Sequence, residues 1–129
     1  VCHGNYTYHN IIFLQVGTAT TNFEKASKGV QISDLYHFLR KVMEKNHWDI
    51  KTGDQIIEEY DKILPLSKNE LKVLYILLLY PEKFWKLTNY YYNGKKSWIP
   101  QKNIQKLINI GEQAGQKADF LKYLEKRIR

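Results

Sequence analysis

The sequence predicts a mainly α-helical fold in which a short N-terminal β-hairpin is followed by about five helices. Two short apolar runs on either side of Gly17 predict the hairpin. From residue 33 onward, apolar residues recur at the three- and four-residue spacing of amphipathic helices. The chain has 129 residues, of which 43% are hydrophobic and 26% charged. These values predict a single globular domain.

The hairpin is predicted from β-branched and aromatic residues. Residues 11–16 (IIFLQV) and 18–23 (TATTNF) are both rich in residue types that favour strands. Gly17 lies between them, so the turn is expected near this residue.

The first two helices are predicted from capping residues and apolar periodicity. Ser33 or Asp34 can cap a helix that runs to about Asn46, and Thr52 or Asp54 can cap the next helix. The residues predicted to face the core are Leu35, Phe38, Leu39, Val42, Ile56, Ile57, Tyr60 and Ile63.

The third helix is predicted from a capping box formed by Ser67 and Glu70. The apolar run that follows, residues 73–80 (VLYILLLY), predicts a helix buried on nearly all sides. It is too short to cross a bilayer, which needs roughly 20 apolar residues. No membrane association is therefore expected.

Helix stop signals divide the C-terminal part of the chain. Pro81 is expected at the first position of a helix over residues 82–92, and residues 93–94 (NG) are expected to end it. The last helical segment continues to the C-terminus, and Gly111 and Gly115 are expected to bend or break it.

The composition limits the classes of partner and the cellular compartment. The net charge is +7, from 20 Lys and Arg against 13 Asp and Glu. Such a surplus favours anionic partners, although a Lys-rich solvated surface would give the same count. No nucleic-acid-binding module is recognised, so nucleic acid is not an expected partner. Cys2 is the one cysteine, no signal peptide is recognised, and an intracellular location is expected.

Two short motifs near the N-terminus suggest phosphoryl transfer. Such transfer uses a carboxylate near the acceptor hydroxyl, and an amide and a second carboxylate that hold magnesium. The sequence has H-G-N-x-x-x-x-N over residues 3–10 and N-F-E over residues 22–24. The spacing fits a catalytic loop, but amides stand where two carboxylates are expected.

The loop resembles the H-G-D-x-x-x-x-N loop of the aminoglycoside phosphotransferase and choline kinase superfamily. Residues 80–85 (YPEKFW) and 91–98 (YYNGKKSW) narrow the resemblance to CotS-type bacterial spore coat proteins. The resemblance implies that residues 1–129 form a kinase-like C-terminal lobe. Within it, residues 1–24 would be a degenerate catalytic loop and hairpin, and residues 31–129 a helical subdomain. The family's nucleotide-binding lobe would lie upstream of this chain.

The resemblance assigns three residues to the catalytic loop and its support. Asn5 occupies the position of the proton-accepting Asp, and His3 has a structural role in the loop. Asp34 resembles the buried Asp that holds the loop from the start of a helix, although a plain helix cap would use the same residue type.

Three further residues would bind magnesium and nucleotide by resemblance: Asn10, Asn22 and Glu24. Asn22 replaces the family's metal-binding Asp. An amide binds magnesium more weakly than a carboxylate, so any metal site should be weak. No cofactor is expected for this chain, although ATP and magnesium could bind a complete one.

These departures predict a spore coat-associated, kinase-derived protein that is catalytically inactive and serves as a structural or interaction module. Other spore coat proteins are the expected partners, and a homodimer could form through an apolar surface near the loop. The expected location is the spore coat or forespore surface, after synthesis in the mother-cell cytoplasm. The alternative is a choline- or aminoglycoside-like phosphotransferase whose nucleotide-binding lobe is missing from this chain.

The aromatic residues and the histidines are further candidates for a binding site. The aromatic residues around residues 80–98 could form a cage for a choline-like cation, or could simply fill the core. The four histidines, with a single cysteine, lack zinc-site spacing.

Overall fold

The computed structural model describes residues 1–94 and 100–129. The second part of the YYNGKKSW block and the start of the last predicted segment, residues 95–99, lie outside the described residues. The described chain contains the predicted two-stranded hairpin followed by five α-helices. The predicted fold class is therefore confirmed.

The hairpin pairs β1 (Ile11–Leu14) with β2 (Gly17–Thr20) in antiparallel register. Leu14 pairs with Gly17, so the two-residue connection is 15–16 and the turn precedes Gly17. A 3-10 turn, Tyr8–Asn10, leads into β1, and a second one, Phe23–Lys25, follows β2.

Helix α1 (Ile32–Lys45) and helix α2 (Ile50–Ile63) are each capped differently from the prediction. Helix α1 begins one residue before Ser33, and its N-cap residue makes no side-chain capping bond. Helix α2 is capped by Asp49, whose Oδ2 accepts hydrogen bonds from the backbone N–H and the Oγ1 of Thr52. Asp54 instead accepts a hydrogen bond from Arg127 Nη1 at 2.7 Å. Both helices therefore begin earlier than the predicted cap residues, α1 at Ile32 and α2 at Ile50.

Helix α3 (Lys68–Leu79) begins with the predicted capping box. Ser67 Oγ accepts from the Glu70 N–H at 3.2 Å, and Glu70 Oε2 accepts from the Ser67 N–H at 2.8 Å. This prediction is confirmed because the two residues satisfy each other's backbone donors.

Helix α4 (Glu82–Tyr92) starts just after Pro81 and ends at Asn93, with Gly94 at a φ of 56°. Helix α5 (Pro100–Ile128) is continuous over 29 residues. The predicted break near Gly111 and Gly115 is wrong. A glycine inside a helix costs only about 1 kcal/mol, and the packing of α5 against α2, α3 and α4 outweighs that cost.

One hydrophobic core joins α1, α2, α3 and the C-terminal half of α5. Gly53 allows α2 and α5 to approach closely, since a Cβ there would lie 2.3 Å from the ring of Phe120. The buried members are Ile32, Leu35, Tyr36, Leu39, Met43, Trp48, Ile57, Leu71, Leu74, Leu78, Phe120, Leu121 and Leu124.

Some residues expected to face the core are exposed. Ile63 is 89% exposed and Ile76 is 62% exposed, so α3 is not buried on all sides. Helix α3 packs against α1 and α5 through the face that carries Leu71, Leu74 and Leu78. The apolar run alone does not distinguish the face of α3 that other helices cover from the face that the described chain leaves exposed.

Over residues 1–94 and 100–129, no helix combines the length and the apolar character needed to cross a bilayer.

Candidate functional site

The loop over residues 3–10 is tied to the rest of the fold by the ring of His3. Its Nε2 donates a hydrogen bond to the carbonyl oxygen of Thr21 at 2.7 Å, and its Nδ1 accepts one from the Asn5 N–H at 3.2 Å. This arrangement requires the tautomer with the proton on Nε2. His3 is buried, and its ring lies against that of Phe23 with the centroids 4.7 Å apart and the planes tilted by 59°. Both ring nitrogens are thus used to hold backbone.

Asp34 holds the same loop from the first turn of α1. Its Oδ2 accepts from the His3 N–H at 2.7 Å, and its Oδ1 accepts from the Gly4 N–H at 3.0 Å. An ionised carboxylate forms stronger hydrogen bonds than a neutral acceptor. The carboxylate therefore fixes two consecutive peptide groups just before Asn5.

A close backbone contact explains why glycine follows His3. Gly4 has a φ of 83°, and a Cβ at this position would lie 2.3 Å from the carbonyl oxygen of Lys25. Nearby, Cys2 and Ser27 exchange two backbone hydrogen bonds of 2.8 and 3.1 Å. The loop is thus bound on one side to the segment that follows the second 3-10 turn.

The structure brings Asn5, Asn10 and Asn22 together. Asn10 Nδ2 donates to the backbone oxygen of Asn5 at 2.8 Å, and Asn22 Nδ2 donates to Asn10 Oδ1 at 2.8 Å. Asn10 is buried, whereas Asn22 is exposed and lies in the left-handed region at a φ of 60°. Glu24 is exposed in the 3-10 turn that follows.

The chemical capacity of this arrangement is limited. The side chains of Asn5, Asn10 and Asn22 are neutral, and a neutral amide does not accept a proton at neutral pH. One oxygen that could bind a cation, Asn10 Oδ1, is already hydrogen-bonded to Asn22. Among residues 1–94 and 100–129, no group of three or more His, Cys, Asp or Glu side chains could hold a metal ion.

A second feature, beside the loop, was not singled out from the sequence. A cleft of about 380 Å³ lies between the 3-10 turn at Tyr8–Asn10, α1, the start of α4 and the middle of α5. We call it the basic cleft. Its charged lining residues are Arg40, Lys41, Glu44, Lys45, Glu82, Lys83 and Lys117. In the sequence, the charged residues of α1 look like an ordinary solvated helix face. No sequence pattern indicates that this face lies near Lys117, which follows more than 70 positions later.

Burial and ion pairing shift the pKa values of three cationic side chains in the cleft. Burial lowers the pKa of Lys41 and of Lys117. Burial would also lower the pKa of Arg40, but Glu44 and Glu82 outweigh it, so the pKa is raised. Arg40 Nη1 lies 2.8 Å from Glu44 Oε1, and its Nε lies 3.6 Å from Glu82 Oε2.

Some of the aromatic residues between residues 80 and 98 line the basic cleft. Tyr80 and Phe84 line the basic cleft, together with the buried Trp48. Tyr92 is exposed at the end of α4, and Trp98 lies outside the described residues.

Comparisons with known proteins agree with the resemblance. The family described as "Spore coat putative kinase YutH" matches residues 30–124. Spore coat protein S of Bacillus subtilis (strain 168) is 33% identical over 101 residues, which are 74% of this chain and 29% of that protein. The chain thus spans less than a third of that relative's length.

The fold has a solved counterpart. The crystal structure of an aminoglycoside phosphotransferase from Alicyclobacillus acidocaldarius subsp. acidocaldarius DSM 446 is similar, with a TM-score of 0.84 and 20% identity. The match covers 93% of this chain and 36% of that chain, and at this identity it shows the fold alone. With the family match over residues 30–124, this chain belongs to the spore coat YutH kinase-like family.

Proposed function

We propose that this chain is part of a spore coat-associated protein that is derived from a phosphotransferase but does not transfer phosphate. In this proposal it acts as a structural and interaction module. The observation that carries the proposal is the hydrogen bond from Asn22 Nδ2 to Asn10 Oδ1. It pairs the two amides that would have to bind magnesium.

The loss of two carboxylates has a large expected effect on rate. General-base assistance contributes about 10²–10⁴-fold, and Asn5 cannot supply it. A metal held by amides alone would also stabilise less transition-state charge. The loop nevertheless keeps its shape through His3 and Asp34, which is what an inherited scaffold requires.

Exposed apolar surface next to the loop supports the interaction role. In the hairpin, Phe13 is 75% exposed and Val16 is 96% exposed, and Phe23 is also exposed. Beneath the hairpin, a largely apolar groove of about 670 Å³ runs between β1, α1 and α2, past Phe38 and Tyr60. Contiguous apolar surface of this kind is typical of protein contacts. We assign it to other spore coat proteins, and a second copy of this chain is the competing occupant.

Membership of a spore coat family supports a location in the spore coat or on the forespore surface, after synthesis in the mother-cell cytoplasm. A fluorescent fusion of the longest natural form should then accumulate on the forespore. The Phe13→Ser variant should remain diffuse if the hairpin makes the contacts, whereas Ile108→Ser, at another exposed apolar site, should localise normally.

The inactivity is tested by a phosphotransfer assay on the longest natural form with ATP, magnesium, choline and aminoglycosides. No turnover above background is expected, and no magnesium-dependent rise in melting temperature with ATP. Turnover that Asn10→Ala abolishes would overturn the proposal. It would favour the alternative, a small-molecule phosphotransferase that uses Asn10 and Glu24 with a nucleotide lobe outside this chain.

A further inference from the structure

The basic cleft carries more positive charge than its own carboxylates neutralise. Within residues 1–94 and 100–129, five cationic side chains line it, from Arg40 on α1 to Lys117 on α5, against the two carboxylates of Glu44 and Glu82. Clefts lined by one sign of charge concentrate ligands of the opposite sign.

Both carboxylates are already engaged. Glu44 binds Arg40 at 2.8 Å and Lys83 at 3.5 Å. Glu82 accepts a hydrogen bond of 2.5 Å from the hydroxyl of Tyr36 and lies 3.6 Å from Arg40 Nε. These contacts hold the two carboxylates to Arg40, Lys83 and Tyr36. Among the described residues, the positive charges of the other lining lysines have no ion pair of this kind.

Of the three lining lysines without an ion pair to the described chain, Lys45 is exposed to solvent, whereas Lys41 and Lys117 are not. Both are partly buried, and within residues 1–94 and 100–129 neither ammonium group has a carboxylate within 4.0 Å. Lys117 Nζ lies 5.3 Å from the ring centroid of Trp48, which offsets part of its desolvation. Partial removal of a lysine charge from water is unfavourable unless an opposite charge lies beside it. A bound anion would supply the missing countercharge.

The shape of the cleft indicates the size of that anion. A volume of about 380 Å³ falls within the range typical of small-molecule sites. Trp48, Phe84 and Ile110 give it apolar walls between the charged groups. Such a lining suits a compact organic molecule better than an extended macromolecule.

We propose that the basic cleft binds a small organic polyanion that carries carboxylate or phosphate groups, with Lys41 and Lys117 as its principal charge partners. A choline-like cation would meet five positive side chains here, so the aromatic walls do not form a cation cage. The lysines of the site lie on α1 and α5 rather than among the loop amides, and the cleft is bordered on one side by Tyr8 and His9 of the loop.

The experiment is isothermal titration of the longest natural form with citrate and with pyrophosphate, without nucleotide or magnesium and at constant ionic strength. We expect at least one of the two probes to bind with a Kd below about 1 mM. Lys41→Met and Lys117→Met should each weaken that binding about tenfold, because each removes a charge-assisted hydrogen bond. Binding of citrate alone would identify carboxylates as the ligand class, and binding of pyrophosphate alone would identify phosphates.

The matched control is Lys122→Met, which removes an exposed lysine one and a half turns further along α5. This variant should bind the probe within about twofold of the wild type. Equal weakening by all three variants would mean diffuse surface attraction and would overturn the proposal. So would binding of choline as tight as that of the anions, or no binding of either anion.

Folding of the variants is checked by thermal unfolding without anion. Neutralising Lys41 or Lys117 removes a charge that burial disfavours, so the melting temperature should stay level or rise. Failure of anion binding would leave the absence of phosphotransfer untouched, because the titration contains no nucleotide.

Discussion

Asn22 donates a hydrogen bond from its Nδ2 to the Oδ1 of Asn10 at 2.8 Å, so two expected magnesium ligands bind each other. The orientation of Asn10 is fixed from its other side, where its Nδ2 donates to the backbone oxygen of Asn5. A carboxylate at position 22 would place an acceptor oxygen against Oδ1 of Asn10. Rotation of the Asn10 amide would relieve that repulsion, but it would place Oδ1 against the backbone oxygen of Asn5.

The first prediction follows from this conflict. Asn22→Asp should lower the free energy of unfolding by about 1–3 kcal/mol, because a donor is replaced by an acceptor. Millimolar magnesium should recover part of the loss, since a cation can join the new carboxylate to the Asn10 oxygen. Thermal unfolding with and without magnesium measures both effects.

Asn69→Asp is the control for the charge change, because Asn69 is exposed in the first turn of α3. It should be neutral or slightly stabilising and insensitive to magnesium, since an acidic residue suits a helix N-terminus. An Asn22→Asp variant as stable as the wild type without magnesium would show that the amide pair does not hold the loop.

The second prediction concerns the loop support. Asp34→Asn should lower the free energy of unfolding by about 1.5–3 kcal/mol. A single amide oxygen cannot replace two carboxylate oxygens that accept from the N–H groups of His3 and Gly4. Denaturant unfolding measures the loss, and proteolysis should cut the first 27 residues sooner.

Asp61→Asn provides the comparison, because in the described part of the chain Asp61 accepts from the Leu66 N–H alone, at 2.6 Å, through one oxygen. The amide oxygen can keep that bond, so the loss should be smaller. If the two variants lose equal stability, the two hydrogen bonds that Asp34 accepts have no special role.

The third prediction uses two glycines in opposite settings. Gly4→Ala should destabilise the fold by about 1–3 kcal/mol or more, because its Cβ would meet the Lys25 carbonyl at a φ of 83°. Gly111→Ala should stabilise the fold by about 0.5–1 kcal/mol, since it lies inside α5 with open space around it. Melting temperatures that shift in the same direction for both variants would contradict this contrast.

The fourth prediction is a loss of stability on mild acidification. Burial lowers the pKa of His37 below its ordinary 6.5, although Glu82 and Asp34 oppose the shift while Arg40 and Lys25 reinforce it. The unfolded chain then binds the proton more readily than the folded chain. The free energy of unfolding should fall as the pH drops through about 6.5 and continue to fall until the folded pKa is reached.

The melting temperature measured from about pH 7.5 to about pH 5.5 checks this. His37→Gln should flatten the decline, because a glutamine has no proton to gain. Glu82 has a pKa lowered below its ordinary 4.5, so its contribution changes only at lower pH. A decline in the variant as steep as in the wild type would assign the effect to other groups.

The sequence predicted what depends on local signals. Apolar spacing revealed α1 and α3, and the Ser67–Glu70 pair located a helix start because both partners lie within one turn. The spacing of residues 3–10 located the loop, since the bonds within it span only two to five residues.

Features that depend on distant parts of the chain were not predictable. The Arg40 ion pair to Glu82 and the approach of Lys117 to Trp48 join residues far apart in sequence, so no local pattern contains them. Ile63 and Ile76 fitted an apolar stripe, but which face is covered is decided by how the helices meet. The basic cleft was missed for the same reason.

The left-handed backbone at Asn22 has a genetic consequence. Asparagine and aspartate both tolerate this conformation, whereas most other side chains do not. Their codons differ only in the first base, so a single transition exchanges one for the other without a change of backbone shape. The same single-base exchange connects asparagine and aspartate at Asn5. Two point substitutions, at Asn5 and Asn22, are therefore enough to exchange a pair of carboxylates for a pair of amides, or the reverse, in a lobe that stays folded.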